Sequence, residues 1–267
     1  MTTEQERMAA AVSRPLLLKV PGSENVRVLR DVAYAQTPAG ALLADVYLPP
    51  LTRKAPMVIF IHGGVPAGVP RPKEWGFFQS WGRTVAASGL VAIAFNHRLG
   101  YPDTRIREGA ADLDAMLAYT AAHAPDWNAD PQRVALLAFS AGGPLLSHPL
   151  RDRPASVRCL VSFYNILDIS KSPVYAASET PETIREFSPV KSVTAESPPI
   201  LVVRAGKDSP GLNESIAAFV ARAVETNAPL TFLNHPNGVH GFENTTDDER
   251  TREILETTIA FMKRHTE

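Results

Sequence analysis

The chain has 267 residues, 45% of them hydrophobic and 21% charged, with a formal net charge of -1. That length suits one large α/β domain, and charge without long single-sign blocks excludes a nucleic-acid stripe or polybasic membrane patch. A single cysteine, Cys159, excludes an internal disulfide framework and is expected to be buried in the apolar run C-L-V-S-F-Y.

Residues 1 to about 24 read as a polar, alanine-containing leader, with a short helix ended by Pro21-Gly22. The apolar stretch 16–18 is too short for a secretory core or a membrane span, so the expected compartment is the cytoplasm. Segments 26–36 and 41–48 are predicted strands around the hairpin signal Thr37-Pro38-Ala39-Gly40. Alternation at Leu42, Ala44, Val46 and Leu48 gives the second one buried face. The solid apolar run 57–61 leads straight into His62-Gly63-Gly64. Beyond it, V-P-A-G-V-P-R-P is too rich in proline and glycine for regular structure.

A helix is predicted from about 75 to 88, stopped by Gly89, then a buried strand at 90–95 and a helix at 108–122. Asp130-Pro131 turns into the central apolar run 134–139. Further strands are expected at 159–164 and 199–203. The Ser-, Thr-, Pro- and Glu-rich segment 167–197 between them is too long for a simple connection and reads as a helical lid or an active-site loop. A helix at 212–225, a short strand at 230–233 and an amphipathic helix at 247–264 close the chain, the last marked by Leu255, Ile259 and Met262. Strands alternating with helices imply one α/β domain over 1–267. Its sheet is mostly parallel and doubly wound, with an N-terminal antiparallel hairpin and helices on both faces.

The central run stops at Ser140, inside Ala138-Phe139-Ser140-Ala141-Gly142-Gly143. A serine at the end of a buried strand, among residues with almost no side chain, fits a sharp strand-to-helix turn that raises its hydroxyl above the sheet edge. An ordinary helix N-cap at Ser140 is the plainer reading, and Pro144 suits both. A serine nucleophile needs a base held by an acid. Asp208, in R-A-G-K-D, and His240, in N-G-V-H-G-F, follow the last two predicted strands, where such sheets place their sites. Asp168 is a rival acid. Glycines at 63 and 64 would let backbone N–H groups approach a developing oxyanion.

These motifs resemble the α/β-hydrolase superfamily, in particular carboxylesterase/lipase-like members with an HGG oxyanion loop, and are similar to arylformamidase and feruloyl-esterase-like proteins. The elbow has Ala138 where the superfamily has its first glycine, and Val65 takes the third place of an HGGG loop. Asp130-Pro131-x-Arg133-Val134 and the strands D-V-A-Y and L-L-A-D-V-Y-L-P extend the likeness over about 26–242. The resemblance implies an α/β-hydrolase fold, a catalytic triad of Ser140, Asp208 and His240, and oxyanion donors at Gly63, Gly64 and Ala141. Pocket residues are expected at His62, Trp75, Phe77 and Phe139, with support of the oxyanion loop by hydrogen bonding as the first reading of His62. It further implies a serine hydrolase that cleaves a small carboxylic ester through an acyl-enzyme. Alternatives are an arylformamidase, a peptidase-like amidase, or a non-catalytic ligand-binding protein on the same fold. No metal and no cofactor are expected: His97, His123, His148, His235 and His265 lack ligand spacing. Arg98 is read as structural, with a substrate carboxylate as its other use. The expected partner is a small-molecule ester, with no nucleic acid and no membrane; a homo-oligomer is left open.

Overall fold

Apolar runs with no polar face can only be central strands covered on both sides. A computed structural model, which describes residues 13–66, 69 and 71–267, places them there. Arg27–Thr37 (β1) and Gly40–Leu48 (β2) form the N-terminal hairpin. Ala55–Ile61 (β3) is buried at every residue. The two-residue strands Val65–Pro66 (β4) and Gly100–Tyr101 (β6) pair with each other, on either side of the wholly buried Val91–Phe95 (β5) in sequence. Ala129–Phe139 (β7), Val157–Phe163 (β8), Ile200–Ala205 (β9) and Leu230–His235 (β10) complete an eight-stranded sheet in the order β1-β2-β5-β3-β7-β8-β9-β10. From β5 to β10 every pair is parallel, while β2 runs antiparallel to both β1 and β5. The fold is the α/β-hydrolase arrangement, a mostly parallel sheet between helices.

Right-handed crossovers carry helices onto both faces of the sheet, the first and last on one face and those between them on the other. Gly76–Ala87 (α1) links β3 to β5, Ile106–His123 (α2) links β5 to β7, and Ser147–Asp152 (α3) follows β7 through a 3-10 turn at Ser140–Leu146. Pro173–Ser178 (α4) and Pro181–Glu186 (α5) lie between β8 and β9, Pro210–Glu225 (α6) links β9 to β10, and Glu249–Thr266 (α7) ends the chain. Along β3 the pleat sends Val58 and Phe60 into a core with Trp81 of α1 and Leu255 and Met262 of α7. Met57, Ile59 and Ile61 enter the opposite core, with Met116 of α2 and Phe219 of α6. Burying each of these large side chains is worth about 1.5–3 kcal/mol.

The structure departs from the sequence reading at three places. First, β2 is buried on both faces, not one: Tyr47 packs against α1, and buried Asp45 meets Arg30 at 3.0 Å and Lys73 at 3.3 Å. Second, β7 starts before the apolar run, since Asp130 accepts the Gln132 N–H and the Arg133 guanidinium and orders the turn into the strand. Third, the segment after Gly64 is partly regular, because a parallel pair as short as β4–β6 tolerates a proline; Ala67, Gly68 and Pro70 lie outside the described residues. Segment 167–197, expected as a helical lid or an active-site loop, carries α4, α5 and two 3-10 turns, the helices too short to leave a readable period. Each helix starts on a proline, and the Thr180 side chain caps α5 by accepting the Thr183 N–H. The leader call falls largely on residues 1–12, outside the described residues. No helix among the described residues is long and apolar enough to cross a membrane.

The contact between α1 and β2 is tight enough to test. A Cβ on Gly82 would lie 2.5 Å from the Tyr47 ring, which is fully buried and has nowhere to withdraw. Gly82→Ala should therefore lose about 1–3 kcal/mol of stability through overpacking, in spite of the better helix propensity of alanine. Urea unfolding followed by circular dichroism measures it, and a variant as stable as the parent would show that the ring yields.

Candidate active site

Ser140 follows β7 at φ 54, in the left-handed region that costs a non-glycine residue about 1–2 kcal/mol. The glycines after it explain how that conformation is held. A Cβ on Gly142 would fall 2.4 Å from the His62 carbonyl oxygen, and one on Gly143 2.5 Å from Asn165 Cβ. The turn is wedged between the ends of β3 and β8, where only glycine fits. The Ile166 N–H donates to the Ser140 carbonyl at 3.1 Å, and Asn165 Nδ2 donates to the Ala138 carbonyl at 3.0 Å. Ala138 is fully buried in the position where the superfamily has glycine.

Ser140 Oγ lies 2.9 Å from His240 Nε2, and His240 Nδ1 lies 2.6 Å from Asp208 Oδ2. The other Asp208 oxygen accepts the Ser209 N–H at 2.7 Å, so the carboxylate is held at both ends. Backbone bonds lace the loops after β9 and β10 together: Gly206 N–H to the His235 carbonyl at 2.8 Å, and Lys207 N–H to the Gly238 carbonyl at 2.9 Å. A Cβ on Gly206 would sit 2.4 Å from the Pro236 oxygen, so this pairing needs glycine there. Past His240 the chain turns back through Gly241 at φ 71. The rival acid is elsewhere. Asp168 Oδ1 accepts the N–H and the hydroxyl of Ser170, at 3.1 and 2.6 Å, and caps a short 3-10 turn.

Gly63 lies directly against the elbow: a Cβ there would be 3.1 Å from Ser140 Cβ and 3.5 Å from the Ala141 nitrogen. Behind it, His62 has both ring nitrogens engaged. Nε2 accepts the His97 N–H at 3.2 Å, which leaves the proton on Nδ1 to donate to the Gly63 carbonyl at 2.6 Å. Burial lowers the His62 pKa to about 3, so the ring is neutral, stacked on His97 with centroids 3.3 Å apart. This hydrogen-bonded support of the loop is the role the sequence suggests first for His62, and the pocket is not where its ring lies. His62 lines neither cavity described below, because its ring is spent on supporting the loop from behind. Arg98 is structural too, its guanidinium and backbone N–H both bound to Asp112. Cys159 is buried, its thiol pushed up to about 12 by that burial. Among the described residues no three His, Cys, Asp or Glu side chains gather as a metal site.

Two cavities open on Ser140. One, of about 240 Å³, is walled by Trp75, Phe77, Phe78, Phe139 and Tyr164 and reaches His240. The other, of about 190 Å³, is lined by Ala141, Tyr101, Thr104, Ser172 and Tyr175 among others. The expected residues Trp75, Phe77 and Phe139 line the first. Tyr164 and Glu243 were not foreseen, although Tyr164 stands at the end of a parallel strand, the position that drew attention to Asp208. The Tyr164 ring lies 4.5 Å from the His240 ring, and its hydroxyl donates to Glu243 Oε1 at 2.5 Å.

Glu243 is fully buried, and its second oxygen has no hydrogen-bond partner. Burial pushes its carboxyl up to about 7 from the usual 4.5, against the opposing pull of the Tyr164 hydrogen bond and of His240. The unfolded chain releases this proton near 4.5 while the folded chain keeps it to about 7, so stability present at low pH is lost as pH rises through that window. A shift of that size corresponds to about 3 kcal/mol. Glu243→Gln should flatten the fall in unfolding free energy between pH 4.5 and 7.5 by about that amount, measured by urea titration at each pH. An unchanged fall would place the burden on other groups.

Comparison with known proteins places this geometry. The dienelactone hydrolase family pattern matches residues 101–266, more than half of the chain, and the BD-FAE pattern matches residues 44–148. Esterase LipC of Mycobacterium tuberculosis is 27% identical over 248 residues, covering 80% of this chain and 60% of its own length. An acetylxylan esterase of Xylanibacter ruminicola is 27% identical over 169 residues, 58% of this chain and 35% of that protein. The chain thus spans less than two thirds of the length of these relatives. Among solved structures, apo esterase 2 of Thermogutta terrifontis superposes with a TM-score of 0.73 at 19% identity, covering 92% of this chain and 96% of that one. An acetyl ester-xyloside bifunctional hydrolase from Caldicellulosiruptor lactoaceticus gives 0.72 at 17% identity, covering 88% and 95%. By its matched pattern and its fold, this chain belongs to the dienelactone hydrolase family of α/β-hydrolases.

Proposed function

We propose that this chain is a serine hydrolase that cleaves small carboxylic esters through an acyl-enzyme, with Ser140 as nucleophile, His240 as general base and Asp208 as the orienting acid. The observation that carries the reading is the chain of contacts from Ser140 Oγ through His240 to Asp208, at 2.9 and 2.6 Å. In such a chain the hydroxyl attacks the ester carbonyl as its proton passes to Nε2, and the carboxylate stabilises the imidazolium that forms. The leaving alcohol then takes that proton, and water repeats the sequence to release the acid. Two relatives bear esterase names, which supports ester over amide cleavage.

The oxyanion donors we assign are the N–H groups of Gly64 and Ala141. A trans peptide points its C=O and N–H in opposite directions, so His62, by holding the Gly63 carbonyl at 2.6 Å, turns the Gly64 N–H the other way. Fixed donors need no reorganisation as charge develops, which is where such sites gain most of their rate. The buried, lone Cys159 supports work in a reducing compartment such as the cytoplasm.

Ser140→Ala should remain folded and lose several orders of magnitude in kcat. Asp208→Asn should lower kcat about 10⁴-fold, as loss of the orienting charge does in serine triads. Asp168→Asn should change it by less than about tenfold, or about 1.4 kcal/mol of barrier. Steady-state kinetics on an acetate ester separates these outcomes, and the reverse ranking of the two aspartates would remove Asp208 from the reaction. With cavities of about 240 and 190 Å³, acetyl to butyryl esters should be cleaved faster than decanoyl ones. Equal rates across that series would require an open groove.

A further inference from the structure

Resting on the serine-hydrolase reading, we infer that the aromatic cavity holds the alcohol half of the ester and the smaller cavity the acyl half, so that the preferred substrates are short-chain acyl esters of aromatic alcohols. The chemistry decides which half goes where. The bond from the reacting carbon to Ser140 Oγ forms as the bond to the alcohol oxygen breaks, and His240 Nε2 must hand that oxygen the proton it took from Oγ. The alcohol therefore leaves on the side of His240. His240 lines the larger cavity and not the smaller one, whereas Ala141 lines only the smaller. Ser140 and Gly64 line both, as the junction where the carbonyl sits requires.

The walls then name the class of alcohol. Trp75, Phe77, Phe78, Phe139 and Tyr164 face the larger cavity, and none of its described lining residues is aliphatic. The rings already pack edge to face: Phe77 on Phe139 at 5.4 Å and 79°, Phe78 on Phe139 at 5.4 Å and 84°. A further aromatic ring continues that edge-to-face packing, which an alkyl chain does not. The volume of about 240 Å³ exceeds the roughly 150 Å³ void that takes up benzene in a protein interior. Across Ser140 the smaller cavity, of about 190 Å³, is lined by Tyr101, Thr104, Ser172 and Tyr175 with Ile166 and Val174, and it takes the short acyl group once His240 has placed the alcohol.

Two isomeric esters test the assignment, because benzyl acetate and methyl phenylacetate share every atom and differ only in the side that carries the ring. Their leaving alcohols are of similar basicity, so the ratio of kcat/KM reports where the ring is accepted. Benzyl acetate should be favoured by at least about tenfold, and Trp75→Ala should lower that ratio. Equal or faster cleavage of methyl phenylacetate overturns the inference, as does acetylated xylose outrunning benzyl acetate. Labelling of Ser140 by a fluorophosphonate probe is scored separately. Labelling without hydrolysis of benzyl acetate defeats this inference alone, whereas no labelling defeats the serine-hydrolase reading beneath it.

Discussion

The site depends on one constraint, the left-handed turn at Ser140. Its φ of 54 is unfavourable for a residue with a Cβ, so the rest of the fold must hold it. Gly142 and Gly143 let the turn sink between the ends of β3 and β8 until backbone meets backbone. Asn165 and the Ile166 N–H then tie it to the segment after β8. A side chain on either glycine would lift the turn and, with it, the hydroxyl away from His240. Ser140 is thus placed by two neighbouring strands and not by its own loop.

Sheet order supplies the remaining groups. Six strands run parallel, so their C-terminal ends share one edge, and β7 lies inside with β3 on one flank and β8 and β9 on the other. The loop after β3 brings Gly63 against the elbow, and the loops after β9 and β10 bring Asp208 and His240 from the far side. Those last two loops are bonded to each other before either touches Ser140, through the Gly206 and Lys207 amides. Asp208 and His240 therefore belong to one backbone-linked unit, and its position is set by the parallel pairing of β9 with β10.

Around this frame the protein buries polar groups that are only partly satisfied. His97 stacks on His62 with neither ring nitrogen hydrogen-bonded, and Glu243 leaves one oxygen bare beside Tyr164. Burying such groups without a partner opposes folding, whatever purpose they serve. His62 serves one visibly, since its neutral ring pins the Gly63 carbonyl. Tyr164 and Glu243 stand behind His240, where the ring of one and the charge state of the other bear on the base.

Much of this was legible in the sequence. The small residues around Ser140, the His62-Gly63-Gly64 step after a solid apolar run, and the order of Ser140, Asp208 and His240 are local patterns, and local patterns survive in one dimension. The core strands were legible for the same reason: a run without a polar face has to be covered twice. Other features depend on neighbours far apart in the chain. Nothing near Asp45 and Tyr47 shows that α1 and Lys73 will cover their face of β2. The helices α4 and α5 are too short for a period to emerge. The residue type of His62 fits a pocket as well as a support, and only the stack on His97 decides between them. Asp168 and Asp208 both follow strands; the structure separates them because backbone bonds between the segments after β9 and β10 set Asp208 against His240, whereas Asp168 caps a 3-10 turn. Sequence by itself determined the elements and the chemical types available. Tertiary structure decided which of them meet, because contact across a sheet is fixed by strand order and packing rather than by the residues that flank a motif.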